Sequence, residues 1–181
     1  MKRKKAKPKS KQIVYLCRKF AERADEQVTT SLEYRLYKGN NSTEPLFHYE
    51  QIDLQQVLAR RACDFYIKEG TVYKQTSSAI EGDWHVIYVT KHEEGQVERE
   101  EFNLNGTLQL ELREFNSRAD HPILKKLEFE HHIDILSYVG SDYHYIDGFE
   151  WEKDSSEIDE DRRVYVLYLI KTGYKMEGNK S

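Results

Sequence analysis

Val164-Tyr165-Val166-Leu167-Tyr168-Leu169-Ile170 carries apolar side chains at successive positions, and Trp84-His85-Val86-Ile87-Tyr88-Val89 nearly does. Both runs are short and rich in β-branched and aromatic types, so each reads as a strand covered on two faces. Such a strand belongs at the centre of a sheet, which predicts that deleting the chain from Arg163 onward unfolds the protein.

Around these runs the apolar pattern has a period of two. It predicts strands at Thr71 to Ser77, Trp84 to His92, Gln96 to Leu104, Leu108 to Phe115, Leu127 to Leu136, Tyr143 to Trp151 and Arg163 to Lys171. Ser31 to Tyr37 alternates strictly, with Leu32, Tyr34 and Leu36 on one face, and ends at Gly39-Asn40-Asn41. Asn105-Gly106 marks a hairpin; a three-residue loop would align Leu104 with Leu108 and Phe102 with Leu110 and so keep apolar side chains together.

Two segments have helical spacing instead. Ser10 can cap a helix from Lys11 to Asp25 whose stripe is Ile13, Cys17, Phe20, Ala21 and Ala24. Asp53 can cap a second, with Leu54, Val57, Leu58, Ala62 and Phe65 on its stripe and Gly70 closing about four turns. The expected fold class is α+β: two helices packed on a mostly antiparallel, strongly twisted sheet of about seven or eight strands, with a partly closed β-barrel as the alternative. No internal repeat of 20 to 50 residues is visible.

At 181 residues the chain suits one domain, read here as residues 11–181 behind a disordered basic arm, residues 1–10. Net charge is −4, but seven of the 28 basic residues fall in the first eleven positions: Lys2, Arg3, Lys4, Lys5, Lys7, Lys9 and Lys11. The rest of the chain sets 21 basic residues against all 32 acidic ones. Seven carboxylates fall between Glu150 and Asp161 and make an opposite pole, readable as a loop or as a surface. The arm is the expected contact for a partner or a polyanion, because a dense row of positive charge draws nucleic acid without sequence preference. The acidic body opposes nucleic acid as the main ligand.

No apolar run approaches the length that crosses a bilayer, and the basic start is not followed by a secretory leader pattern. Cys17 and Cys63 match no C-x-x-C motif and read as reduced core thiols, which suits the cytoplasm, with a single bridge between them as the alternative. There is no Gly-rich phosphate loop, no G-x-S-x-G and no H-E-x-x-H. Four groupings remain. Alternation along Leu127 to Ile135 would place His132 and Asp134 on one polar strand face, which His144 could join, and imidazole with carboxylate suits zinc or a general base. Glu98, Glu100, Glu101 and Glu111 could hold an acid and base pair, but Arg99 and Arg113 would more naturally neutralise them as solvated ion pairs. Thirteen tyrosines could line a groove, although a strand tyrosine more often packs its ring and wets its hydroxyl. The basic arm is the fourth.

These readings lead to a non-enzymatic, cytoplasmic regulatory or adaptor protein that binds a protein partner and needs no cofactor. The alternatives are a nucleic-acid-associated factor using the arm, and a metal-assisted hydrolase or small-ligand binder around His132, Asp134 and His144.

Overall fold

Asp53 caps a helix as its position predicts, its Oδ1 accepting from Gln55 N at 3.1 Å, but the helix runs for only two turns before the chain re-enters a sheet. The computed structural model describes residues 28–40, 42–92, 103, 106–116 and 121–175. In chain order they form β1 (Thr29–Gly39), β2 (Ser42–Asp53), α1 (Leu54–Arg61), β3 (Phe65–Lys68), β4 (Thr71–Glu81), β5 (Trp84–Lys91), β6 (Leu108–Glu114), β7 (Ile123–Phe129), α2 (His132–Val139), β8 (Tyr143–Ile146), β9 (Phe149–Asp159) and β10 (Val164–Lys175). The strands make one mixed sheet that does not close, in the order β2-β1-β5-β4-β3-β9-β10-β6-β7, with β8 beside β9. The fold is α+β and dominated by the sheet.

β5 lies between β1 and β4, and β10 between β9 and β6. Val86, Ile87 and Val89, like Val164 to Leu167, are buried, so the two doubly apolar runs hold the inner positions predicted for them. Leu32 and Tyr34 of β1 meet Val57 of α1, Ile135 of α2 and Leu167 of β10 in one core. The helices therefore cover one face of the sheet, where alternation directs these side chains.

The described residues form two copies of one unit. β1 to β5 and β6 to β10 each run hairpin, eight-residue helix, short strand, long strand, closing strand, and an offset of 78 positions superposes Leu54–Arg61 on His132–Val139. The registers coincide. Leu32 opposite Tyr49 becomes Leu110 opposite Leu127, and Tyr66 opposite Tyr73 becomes His144 opposite Trp151. Each first strand pairs in parallel with its closing strand, Leu32 with His85 and Leu110 with Tyr165. Each long strand bulges at the same place, Thr76 in one copy and Asp154 in the other. Glu69-Gly70 and Asp147-Gly148 both have positive φ and make the same tight turn. The period is longer than the 20 to 50 residues typical of solenoid repeats.

Several expectations are corrected. The sheet has ten strands among the described residues, not seven or eight, and three of its pairings are parallel: β1 with β5, β3 with β9 and β6 with β10. The second predicted helix ends at Arg61, because Phe65-Tyr66-Ile67 is an aromatic and β-branched run that serves the sheet, and Gly70 belongs to a hairpin rather than a helix end. Ser42 to Asp53, left unassigned above, is a strand. The strand expected from Leu127 to Leu136 stops at Phe129. Ile135, Leu136 and Val139 carry helical spacing, and Gly140 N–H closes that helix onto Leu136 O at 2.8 Å. The acidic stretch from Glu150 is mainly β9, with Glu157 and Asp159 buried in the sheet. The helix at Lys11 to Asp25, the strand at Gln96 to Leu104 and the hairpin at Asn105 lie wholly or largely outside the described residues.

Candidate functional site

The two copies join where β3 adds to the outer edge of β9. Phe65, Tyr66 and Ile67 run parallel beside Glu157, Ile158 and Asp159. Asp64 N–H donates to Ser156 O at 2.8 Å, and the Asp64 carboxylate accepts from both Ser156 N–H and Ser156 Oγ–H at 2.9 Å. Ser156 is fully buried, and Ile158 is 5% exposed.

The duplication supplies the same parts a second time. Asp142-Tyr143-His144-Tyr145 corresponds to Asp64-Phe65-Tyr66-Ile67, and Ser78-Ala79-Ile80-Glu81 corresponds to Ser156-Glu157-Ile158-Asp159. Among the described residues these second parts are not paired: β8 is bonded to β9 alone, and β4 from Ser77 to Glu81 to β5 alone. Ile80 is consequently 65% exposed, against 5% for its counterpart, and Tyr143 and Tyr145 are 52% and 56% exposed.

An unpaired edge with exposed apolar side chains is a template for another strand. Its charge is also arranged. Arg61 Nε donates to Ser78 Oγ at 3.2 Å, so a guanidinium stands at the position that the Asp64 carboxylate holds in the closed junction. Arg61 also approaches His85 Nδ1 at 3.5 Å; burial lowers the imidazole pKa and the neighbouring guanidinium lowers it further, favouring the neutral ring. At the end of the edge, Glu81 accepts from Arg35 Nη1 at 2.7 Å and from the Tyr88 hydroxyl. The edge presents a cation and a row of peptide groups that no described strand pairs with.

The residues singled out from sequence fall in different places. His132 is the first residue of α2 and Asp134, two residues on, lies in the same first turn, so they share no strand face. His144 is buried on β8, its Nε2 3.2 Å from Ser141 O and its ring stacked on Tyr138. His144 borders a cavity of about 360 Å³ and His132 a different one of about 370 Å³. Among the described residues no three His, Cys, Asp or Glu side chains gather to hold a metal. Glu111 and Arg113 do pair, at 2.6 Å, but buried rather than solvated, with Arg162 and Asp159 continuing the network. Tyr34, Tyr66, Tyr73 and Tyr165 are core side chains; Tyr34 and Tyr66 stack at 4.1 Å. Cys63 is buried and unbridged, and Cys17 lies outside the described residues. So does the whole basic arm: Lys2, Arg3, Lys4, Lys5, Lys7, Lys9 and Lys11.

The open edge was not found from sequence, since it is visible only by comparing the copies. The signal was present, in Asp64 with Asp142, Gly70 with Gly148, Ser77-Ser78 with Ser155-Ser156 and Ile80 with Ile158. No protein-family model matches the chain, and no significant similarity to a curated protein or to a solved structure is found.

Proposed function

We propose that the chain is a non-enzymatic adaptor or regulatory protein that binds an extended segment of a partner protein by strand addition to the free edge of β4. The observation that carries this reading is the contrast between Ile80 and Ile158, one position of the repeat left open in one copy and covered by a strand in the other. The covered copy indicates what would fit: a strand running parallel to β4, with an acidic residue beside Ser78 and Arg61 and an apolar or aromatic residue two positions on, over Ile80. Main-chain hydrogen bonds would supply affinity, and the acidic and apolar pair would supply choice of partner.

A labelled peptide with the sequence Ala62 to Gly70 of this chain is a ready probe, and fluorescence anisotropy against the full chain measures its binding. Saturable binding below about 1 mM is expected, weakened by Arg61→Ala and by an Asp-to-Asn change in the peptide. Ser78→Pro should abolish it. In the closed junction the equivalent N–H of Ser156 points outward, so proline at 78 removes an edge donor without breaking the ladder to β5. Absence of saturable binding, or equal binding to the Ser78→Pro variant, refutes the reading.

A further inference from the structure

Beyond the sheet edge, we infer that the cavity beside Arg60 is a binding site for a small ligand bearing a single carboxylate. The side chain of Arg60 is 5% exposed, and its Nη2 is paired with the Glu160 carboxylate at 2.5 Å. Its Nε and Nη1 are buried without an acceptor, and so are the hydroxyls of Tyr34 and Tyr165. Both tyrosines lie close enough to Arg60 to interact with it electrostatically. Two guanidinium nitrogens, which can only donate, and two hydroxyls, which can donate or accept, are thus buried without a partner in hydrogen-bond geometry among the described residues, and of these Arg60 and Tyr165 border the cavity. Each such group left unpaired costs free energy comparable to a lost hydrogen bond.

The cavity that Arg60 and Tyr165 border measures about 370 Å³, at the small end of the range for metabolite sites. Gln56, His132 and Arg163 also line it. Charge favours an anion. Glu160 is shared between Arg60 and Lys68, at 2.5 and 2.9 Å, and the Asp159 carboxylate is engaged by Arg162 at 2.6 Å. The cationic surplus is therefore Arg60 or Lys68 together with Arg163. The imidazole facing the cavity is neutral at pH 7: burial lowers it to about 4, with Arg60 reinforcing and Asp53 opposing the shift, so it adds no charge and can bond an uncharged ligand group. The paired carboxylates of Glu160 and Asp159 still stand on the wall, so a ligand with one negative charge meets less repulsion there than a dianion, which favours a monocarboxylate over a phosphate.

The test titrates acetate, lactate and benzoate, with inorganic phosphate and chloride as controls at constant ionic strength, into the full chain, following the Arg60 Nε–H resonance by NMR. A saturable shift with at least one carboxylate, absent with phosphate and chloride, is expected. Tyr165→Phe removes one unpartnered hydroxyl and no existing hydrogen bond, so it should fold normally and weaken carboxylate binding about tenfold. No saturable carboxylate shift means that water satisfies these donors, and it overturns the inference. Saturation by phosphate alone, or unchanged binding in Tyr165→Phe, overturns it equally.

Discussion

Replacing Asp64 by Ala removes the acceptor for two hydrogen bonds at once, from Ser156 N–H and Ser156 Oγ–H at 2.9 Å each. Ser156 is fully buried, so its amide is left without a partner and without water. Hydrogen bonds to a charged acceptor contribute roughly 1.5–3 kcal/mol, and an orphaned buried donor costs about 1–3 kcal/mol; since Asp64 is itself solvated, the lower half of that range applies, about 2 kcal/mol. With a urea m-value of about 2 kcal/mol/M, the unfolding midpoint should fall by about 1 M. Asp142→Ala is the matched control. It occupies the same position of the repeat, but β8 is not docked on β4 and the residue is exposed, so the change should stay within about 0.5 kcal/mol. Equilibrium urea denaturation of the two variants beside the parent chain decides the matter. Equal losses from both would mean that β8 closes onto β4 in solution, and the open edge would not exist. No loss from Asp64→Ala would refute the account of the junction.

Burial pushes the Glu157 carboxyl up to about 7, against the Tyr168 hydroxyl that donates to it at 2.9 Å. A folded carboxyl that keeps its proton above its unfolded pKa makes stability fall as pH rises from about 4.5 through 7, by about 3 kcal/mol here. Glu157→Gln should flatten that decline in urea titrations at pH 5 and 8. Glu160 behaves in the opposite sense. Burial would raise it, but Arg60, Tyr49 and Lys68 together hold it down at about 2, so its contribution is complete above pH 5 and lost as the pH falls through 4.5 toward 2. The parent chain should therefore lose more stability than Glu160→Gln between pH 5 and 2.5. Cys63 is fully enclosed, and burial pushes its thiol well above the ordinary range. In a Cys17→Ser background a thiol reagent should label it only as fast as the chain unfolds, and rapid native-state labelling would place the residue outside the core.

How much of this was legible in the sequence depended on whether a local pattern had one meaning. Val164 to Ile170 could only be an inner strand, and Asp53 before Leu54 and Val57 could only open a helix; both hold. Leu127 to Leu136 had two meanings. Its first half alternates and its second carries helical spacing, and alternation read through the junction hid α2 and placed His132 beside Asp134 on a strand that is not there. Parallel pairings such as β3 with β9 join residues some 90 positions apart, and nothing local to Phe65 or Ile158 announces them. The cavity was illegible for a related reason: Arg60 sits beside a helix stripe where a long side chain normally reaches water, and only the tertiary fold buries it.

The duplication also separates what the scaffold requires from what one copy has added. At four positions that both copies bury for packing they keep the same chemistry: Leu32 and Leu110, Val57 and Ile135, Ile87 and Leu167, Val89 and Leu169. Around the cavity they do not. Arg60 stands where the second copy has Tyr138, His132 where the first has Leu54, and Tyr165 where the first has His85. The unit folds without a charge at the position of Arg60, so that charge is an addition to the scaffold rather than a condition of it. This makes a stability prediction. Arg60→Met alone leaves Glu160 with Lys68 as its one cation and should cost about 2–4 kcal/mol. Adding Glu160→Gln removes the stranded charge while keeping an acceptor for the Tyr49 and Tyr66 hydroxyls, so the double variant should recover most of the loss. Urea midpoints of the single and double variants measure this, and a double variant no more stable than Arg60→Met would show that the ion pair is part of the scaffold after all.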